Sequence, residues 1–172
     1  MTRYLSIGLI GGCLLSGAAA AGQPGLPVAA RAELKDRDGR IVARAELADG
    51  AHGIVLTLRV DAAAPVGQHA LHIHDTGTCT PPTFESAGGH FNPRRAQHGV
   101  LNAQGPHAGD LPNLHVLASG ATLEMFVPNV AVKALLDGDR TALVLHGGID
   151  DHRTDPAGGA GDRVACGVIT AT

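Results

Sequence analysis

The chain has 172 residues, of which 44% are hydrophobic and only 2% aromatic, with no tryptophan, 24 glycines and 10 prolines. That is one domain's length of chain, and its core must rest on Val, Leu, Ile and Ala. A formal net charge of −3 at pH 7 argues against nucleic acid or an anionic membrane surface as partner.

In chain order, residues 1–21 read as a secretory signal peptide. MTR supplies a positive start, Tyr4 to Leu15 is mostly apolar, and the small residues that follow allow cleavage after Ala20 or Ala21. The apolar run is too short to span a membrane. A rival reading takes Ile10-Gly11-Gly12 as the approach to a lipid anchor on Cys13. Cutting there would strand Leu14 and Leu15 outside the apolar core, so ordinary cleavage is favoured. A single domain of residues 22–172 remains, with 12 Lys+Arg against 16 acidic residues, a net charge of −4. Its two cysteines, Cys79 and Cys166, are an even pair suited to an oxidising compartment.

Val28–Leu34 and Ile41–Leu47 read as strands joined by a hairpin with Asp-Gly at its turn. His52–Val60 alternates well through Ile54, Leu56, Leu58 and Val60. Gln68–His74 is the next strand. Leu114–Leu117 and Thr122–Val127 flank a turn at Ser119-Gly120, and Ala142–His146 and Val164–Ile169 complete the set. Leu135–Leu136 is a helical turn or part of a connection. Eight short strands without a long helix predict an all-β, antiparallel sandwich or barrel.

The stretch from His69 to Asp110 holds six of the ten histidines. His72 and His74 are two apart in a strand, so their imidazoles share a face and can share a metal. Past a Gly/Pro-rich loop come His90, His98 and His107, then Asp110. With His146, and with His69 set aside, these make seven candidate donors. Two four-coordinate metals need eight, and one imidazole bridging through both ring nitrogens would close the count.

HIH at 72–74, GGHFNP at 88–93, HG at 98–99, HAGD at 107–110, LVLHGG at 143–148 and GDRVACGVI at 161–169 together resemble Cu/Zn superoxide dismutase of the bacterial, exported type. The resemblance covers nearly the whole chain after residue 28. It implies an eight-stranded Greek-key β-barrel with long metal-binding and electrostatic loops. It also implies one copper on His72, His74, His90 and His146, and one zinc on His90, His98, His107 and Asp110, with His90 as the bridge. Further implications are a Cys79–Cys166 disulfide, a periplasmic location and an outer-shell Asp150 joining His72 to His98. Arg163 would orient the anionic substrate beside copper, and His90 would carry a proton. The implied reaction converts two superoxide anions to dioxygen and hydrogen peroxide by copper redox cycling, protecting the cell envelope. The alternative is a copper or zinc storage or delivery protein on the same fold, for which an anion-docking Arg163 has no use.

His69 is read as structural, hydrogen-bonding nearby backbone, His52 and His115 as ordinary strand histidines, and His152 as a solvated loop residue. Three departures from the family pattern stand out. Ala70-Leu71 replaces a usual glycine and aromatic. The Cys79–His90 loop is short, which leaves monomer and homodimer both open. The segment Ile149–Asp162 has no lysine and sets four aspartates against Arg153, leaving Arg94 and Arg95 as candidate compensating cations.

Overall fold

The computed structural model describes residues 25–172; the expected signal peptide and Cys13 lie outside the described residues. Alternating apolar residues build the central strands. In β1 (Val28–Asp36) Ala30, Ala32 and Leu34 are buried, and in β3 (Gly53–Val60) the buried set is Ile54, Leu56, Leu58 and Val60. Between them β2 (Ile41–Gly50) pairs antiparallel with both. The hairpin turn falls at Asp38-Gly39 as expected, with Gly39 at φ 82° and its N–H bonded to the Asp36 carbonyl. Each fully buried Leu or Ile contributes about 1.5–3 kcal/mol of transfer free energy.

The remaining strands are β4 (Gly67–His69), β5 (Leu71–His74), β6 (Leu114–Val116), β7 (Ala121–Pro128), β8 (Ala142–His146), β9 (Arg163–Val168) and β10 (Thr170–Ala171). One sheet runs β5-β8-β9-β1-β2-β3-β7, with β10 also on β1, and every pairing is antiparallel. Because β3 skips to β7 and β5 to β8, neighbours in space are not neighbours in sequence, as a Greek key requires. The sheet curls: Leu114 and Val116 of the separate β4–β6 ribbon join the same core as β1–β3. The only helices among the described residues are α1 (Val132–Leu136), whose first N–H is held by Asp49, and one 3₁₀ turn at Glu85–Ala87.

One expected strand divides. Gln68–His74 becomes β4 and β5 because buried Ala70 leaves the ribbon, giving its N–H to the Gly148 carbonyl and accepting from His146 N–H. The chain thereby passes from pairing with β6 to pairing with β8. His52 lies in the β2–β3 turn rather than in a strand, and His115 is exposed on β6.

β8 is buried along its whole length because it serves two cores. Leu143 and Leu145 face the barrel interior, while Ala142 and Val144 pack against Phe84, Ala87 and Cys166. By strand alternation His146 shares the outer face with Ala142 and Val144. In β5, Leu71 and Ile73 enter the main core, so His72 and His74 face outward beside it. The histidines therefore sit outside the barrel, under the long loops.

Candidate metal centre

The edge of β5 away from β8 orders the first loop. Ile73 N–H donates to the Gly109 carbonyl, the Ile73 carbonyl accepts from Phe91 N–H, and Asp75 N–H donates to the Gly89 carbonyl. These bonds place His90 beside His74 and Asp110 beside His72 as isolated bridges. Gly109 has to be glycine, since a Cβ there would run into the Ile73 carbonyl oxygen. The disulfide Cys79–Cys166, with Cα atoms 5.6 Å apart, ties the same loop to β9.

Two donor sets result. His72, His74, His90 and His146 bring one ligand atom each to within 4.8 Å of one another, all four buried. Three imidazoles then converge on one carboxylate oxygen: Asp110 Oδ1 lies 2.9 Å from His90 Nδ1, 3.1 Å from His98 Nδ1 and 3.2 Å from His107 Nδ1. The other oxygen accepts the N–H groups of Gly99 and His107 at 2.8 and 3.0 Å. His72, His90, His98 and Asp110 also fall within 4.8 Å. His72 nonetheless gives its Nε2 to Asp150, whereas His107 Nδ1 faces Asp110 and lies 3.4 Å from His90 Nδ1.

The residues fit metal ions. His72 Nδ1 and His90 Nε2 are buried with no hydrogen-bond partner, and His74 Nε2 and His146 Nε2 face each other at 3.4 Å. Buried nitrogens with nothing to bond are costly unless something else takes their lone pairs. Four other ring nitrogens are engaged: His72 Nε2 with Asp150 Oδ2 at 2.9 Å, His98 Nε2 with Asp150 Oδ1 at 2.9 Å, His74 Nδ1 with the Gly88 carbonyl at 3.0 Å and His146 Nδ1 with the Gly161 carbonyl at 3.3 Å. Such partners fix ring orientation and leave the opposite nitrogen free to ligate.

Electrostatics point the same way. Burial pushes His74 down to about 2 and His146 to about 3; His90 falls to about 4, burial outweighing its bond to Asp110. All three are thus neutral imidazoles, the ligating form. Burial alone would raise Asp110, but hydrogen bonds from His90 and Gly99 and the nearby histidines hold it at about 2. Asp150 is likewise held below the usual carboxylate range, its bonds from His72 and His98 overcoming burial.

Arg163 begins β9 opposite His146. Its Nη1 donates to the Phe84 carbonyl and its Nη2 to the Gly88 carbonyl, both at 2.8 Å. It lines a cleft of about 400 Å³ shared with Arg37, Glu85, Gly161 and Asp162. Gly161 is the residue whose carbonyl meets His146, so the cleft abuts the four-imidazole set.

A profile of the copper/zinc superoxide dismutase family matches residues 38–169. The chain belongs to this family. It is 44% identical over 146 residues to a Cu-Zn superoxide dismutase of Aquifex aeolicus, covering 81% of this chain and 85% of that one. Identity to the Cu-Zn superoxide dismutase of Caulobacter vibrioides is 43% over 148 residues, covering 81% and 84%. Among solved structures, a SOD-like protein from Bacillus subtilis superposes with a TM-score of 0.76 at 36% identity, covering 80% of this chain and 96% of that chain.

Every residue that the sequence proposed for the site is brought to it: the seven donors, Asp150, Arg163 and the cysteine pair. His69 Nδ1 donates to the His146 carbonyl, 2.9 Å away, as a structural residue would. The expectation for His152 needs correction. Instead of standing in solvent, it packs against Asp150 and Asn113. Nothing in the sequence marks Asn113 or Arg37, since no spacing rule singles out a lone Asn or a hairpin Arg.

Proposed function

We propose that this centre holds copper on His72, His74, His90 and His146 and zinc on His90, His98, His107 and Asp110, with His90 shared. Family membership carries the activity: the chain is a superoxide dismutase whose cofactors are copper and zinc. The observation that carries the residue assignment is the pair of orphaned buried nitrogens, His72 Nδ1 and His90 Nε2, facing a set of neutral imidazoles.

Copper, when bound, supplies the one-electron couple by which one superoxide is oxidised to dioxygen and a second reduced to hydrogen peroxide. The chain's own residues do the rest. Arg163, always charged, docks the incoming anion at the inner end of the cleft, and its two carbonyl contacts keep the guanidinium aimed there. His90, whose Nδ1 faces Asp110 within the proposed zinc set, would present Nε2 to the copper set, and that atom can hold one of the two protons that hydrogen peroxide takes up, the other coming from solvent. Asp150 fixes His72 and His98 in one orientation. Loops and barrel wall exclude bulk water from the buried donors.

A storage or delivery role is not favoured, because it leaves the built Arg163 cradle without purpose. The signal-like residues 1–21 support export to the periplasm, with the mature chain soluble rather than anchored on Cys13; monomer and homodimer both remain compatible with the fold. No helix among the described residues is long and apolar enough to cross a membrane. The test is superoxide dismutation by the copper- and zinc-loaded protein beside its metal-free form. No activity with both metals bound would overturn the catalytic reading.

A further inference from the structure

Asp150 is gripped as firmly as the histidines it orients. Its Oδ1 meets His98 Nε2 at 2.9 Å and His152 N–H at 2.6 Å; its Oδ2 meets His72 Nε2 at 2.9 Å, with His152 Nδ1 3.3 Å away. One side chain holds its backbone on both sides. Asn113 Oδ1 accepts Asp150 N–H at 2.9 Å, and Asn113 Nδ2 donates to the Asp150 carbonyl at 2.8 Å. The same Nδ2 lies 3.1 Å from His152 Nε2.

These contacts settle the polarity of the cluster. The Asp150 N–H can only donate, so the Asn113 atom facing it is the oxygen, and the amide nitrogen faces the carbonyl and the imidazole. His152 Nε2 therefore accepts from Asn113, and His152 Nδ1 lies 3.3 Å from the Asp150 carboxylate. Every hydrogen-bonding position of the Asn113 amide nitrogen is used. The His152 carbonyl also accepts Leu101 N–H at 2.9 Å, stitching the loop that carries Asp150 to the loop that carries His98. On the far side Gly158 leaves no slack, since a Cβ there would collide with Asp150 Oδ1.

We infer that Asn113 and His152 are positioning residues for the two-metal centre: together they hold Asp150 so that its oxygens meet His72 and His98 at once, keeping the copper and zinc halves in register. Neither touches a donor atom of the proposed ligand sets; both act through Asp150. The inference rests on the metal assignment above.

The test uses the full mature protein loaded with copper and zinc. His152→Gly removes the imidazole at a residue with φ 58°, where glycine is at ease, so backbone strain does not enter. Asn113→Ala removes the clamp on the Asp150 backbone. Losing an outer-shell partner weakens metal binding about 10–100-fold; one step further out, zinc transfer to a chelating dye should quicken about three- to tenfold. The Cu(II) electron paramagnetic resonance spectrum should shift from that of the unaltered protein, and His152→Asn should recover part of both properties. Zinc-transfer rates and spectra identical to wild type would overturn the inference, as would a lowered melting temperature with both readouts unchanged. If Asn113→Ala does not fold, His152→Gly decides alone. Unaltered protein that takes up no zinc would sink the metal assignment; equal rates in loaded proteins would sink only the clamp.

Discussion

His146 and Arg163 face one another across β8 and β9 at the point where a bulge interrupts their register. A bulge re-aims side chains at the end of a ladder, and here it sets a proposed copper ligand beside the residue proposed to dock the substrate. Arg163 supplies no ligand, so Arg163→Ala should retain both metals. Activity per bound copper should fall about tenfold or more if docking contributes about 1.4 kcal/mol or more to the transition state. Arg163→Lys should fall between, keeping charge but losing the planar fork. Azide should bind the alanine variant more weakly. Equal activity per copper in alanine variant and wild type, at low and high salt, would remove Arg163 from the mechanism.

His90 belongs to both donor groups: its Nδ1 faces Asp110, its Nε2 is buried and unpartnered, and its ring centroid lies 4.0 Å from that of His72. Elemental analysis after reconstitution and dialysis should find one copper and one zinc per chain. His90→Ala should lower the retention of both, whereas His146→Ala should lower chiefly copper. A single metal per chain, or two coppers that zinc cannot displace, would refute the assignment.

Much of the fold and of the metal centre is legible in the sequence. The alternation of Ile54, Leu56, Leu58 and Val60 marks a strand because period two is a local property of the chain. The H-x-H pair at 72–74 is legible for the same reason. What the sequence hid is non-local. The break at Ala70 arises from its bonds to Gly148 and His146, more than seventy residues away, and no residue near position 70 announces it. Likewise His152 looks like any polar loop residue until the chain returns it to Asn113, 39 positions earlier in sequence.

The metal-free protein should lose stability as pH falls through the weakly acidic range. His74, His90 and His146 are held at about 2, 4 and 3 when folded, against an ordinary 6.5 when unfolded. Between roughly pH 6 and 4 the unfolded chain therefore binds up to three more protons than the folded one. Unfolding free energy should fall by up to about 4 kcal/mol per pH unit there. Asp110 and Asp150, both lowered, add to the loss as pH drops further below the unfolded carboxylate value. Urea midpoints of the metal-free protein at pH 7, 6 and 5 would show it; a flat profile would mean these imidazoles are not buried neutral.

The disulfide should matter to both stability and catalysis. Cys79 and Cys166 are 87 residues apart, which gives a chain-entropy stabilisation of about 4–5 kcal/mol. Phe84 and Ala87 in the tied loop pack on Cys166 and Val144, while the Phe84 and Gly88 carbonyls cradle Arg163. The paired Cys79→Ser, Cys166→Ser variant should unfold at lower urea and, with metals bound, show reduced activity per copper as Arg163 loses its support. Thiol labelling of the exported protein under denaturing, non-reducing conditions should find no free thiol; two reactive thiols would mean that the bridge does not form.

A second cation lining the cleft comes from the β1–β2 turn. Ile149–Asp162 carries four aspartates and no lysine, and the two arginines that looked able to compensate, Arg94 and Arg95, are exposed in the other loop. Arg37, in the β1–β2 turn, instead lines the same cleft as Arg163, together with Glu85 and Asp162. Its neighbours Asp36 and Asp38 are both paired with Arg40, at 2.8 and 3.5 Å, so Arg37 forms no salt bridge among the described residues. An exposed cation here speeds encounter with a small anion and adds nothing once the anion is docked. Arg37→Glu should therefore lower kcat/KM several-fold at low ionic strength, with both metals and azide affinity unchanged. The deficit should shrink as salt rises, because the Debye length falls to about 8 Å near physiological ionic strength and further above it. Stopped-flow decay of superoxide across a salt series would show the convergence. A deficit that persists unchanged at high salt would mean that Arg37 shapes the cleft rather than guiding substrate into it, and no deficit at low salt would mean that it does neither.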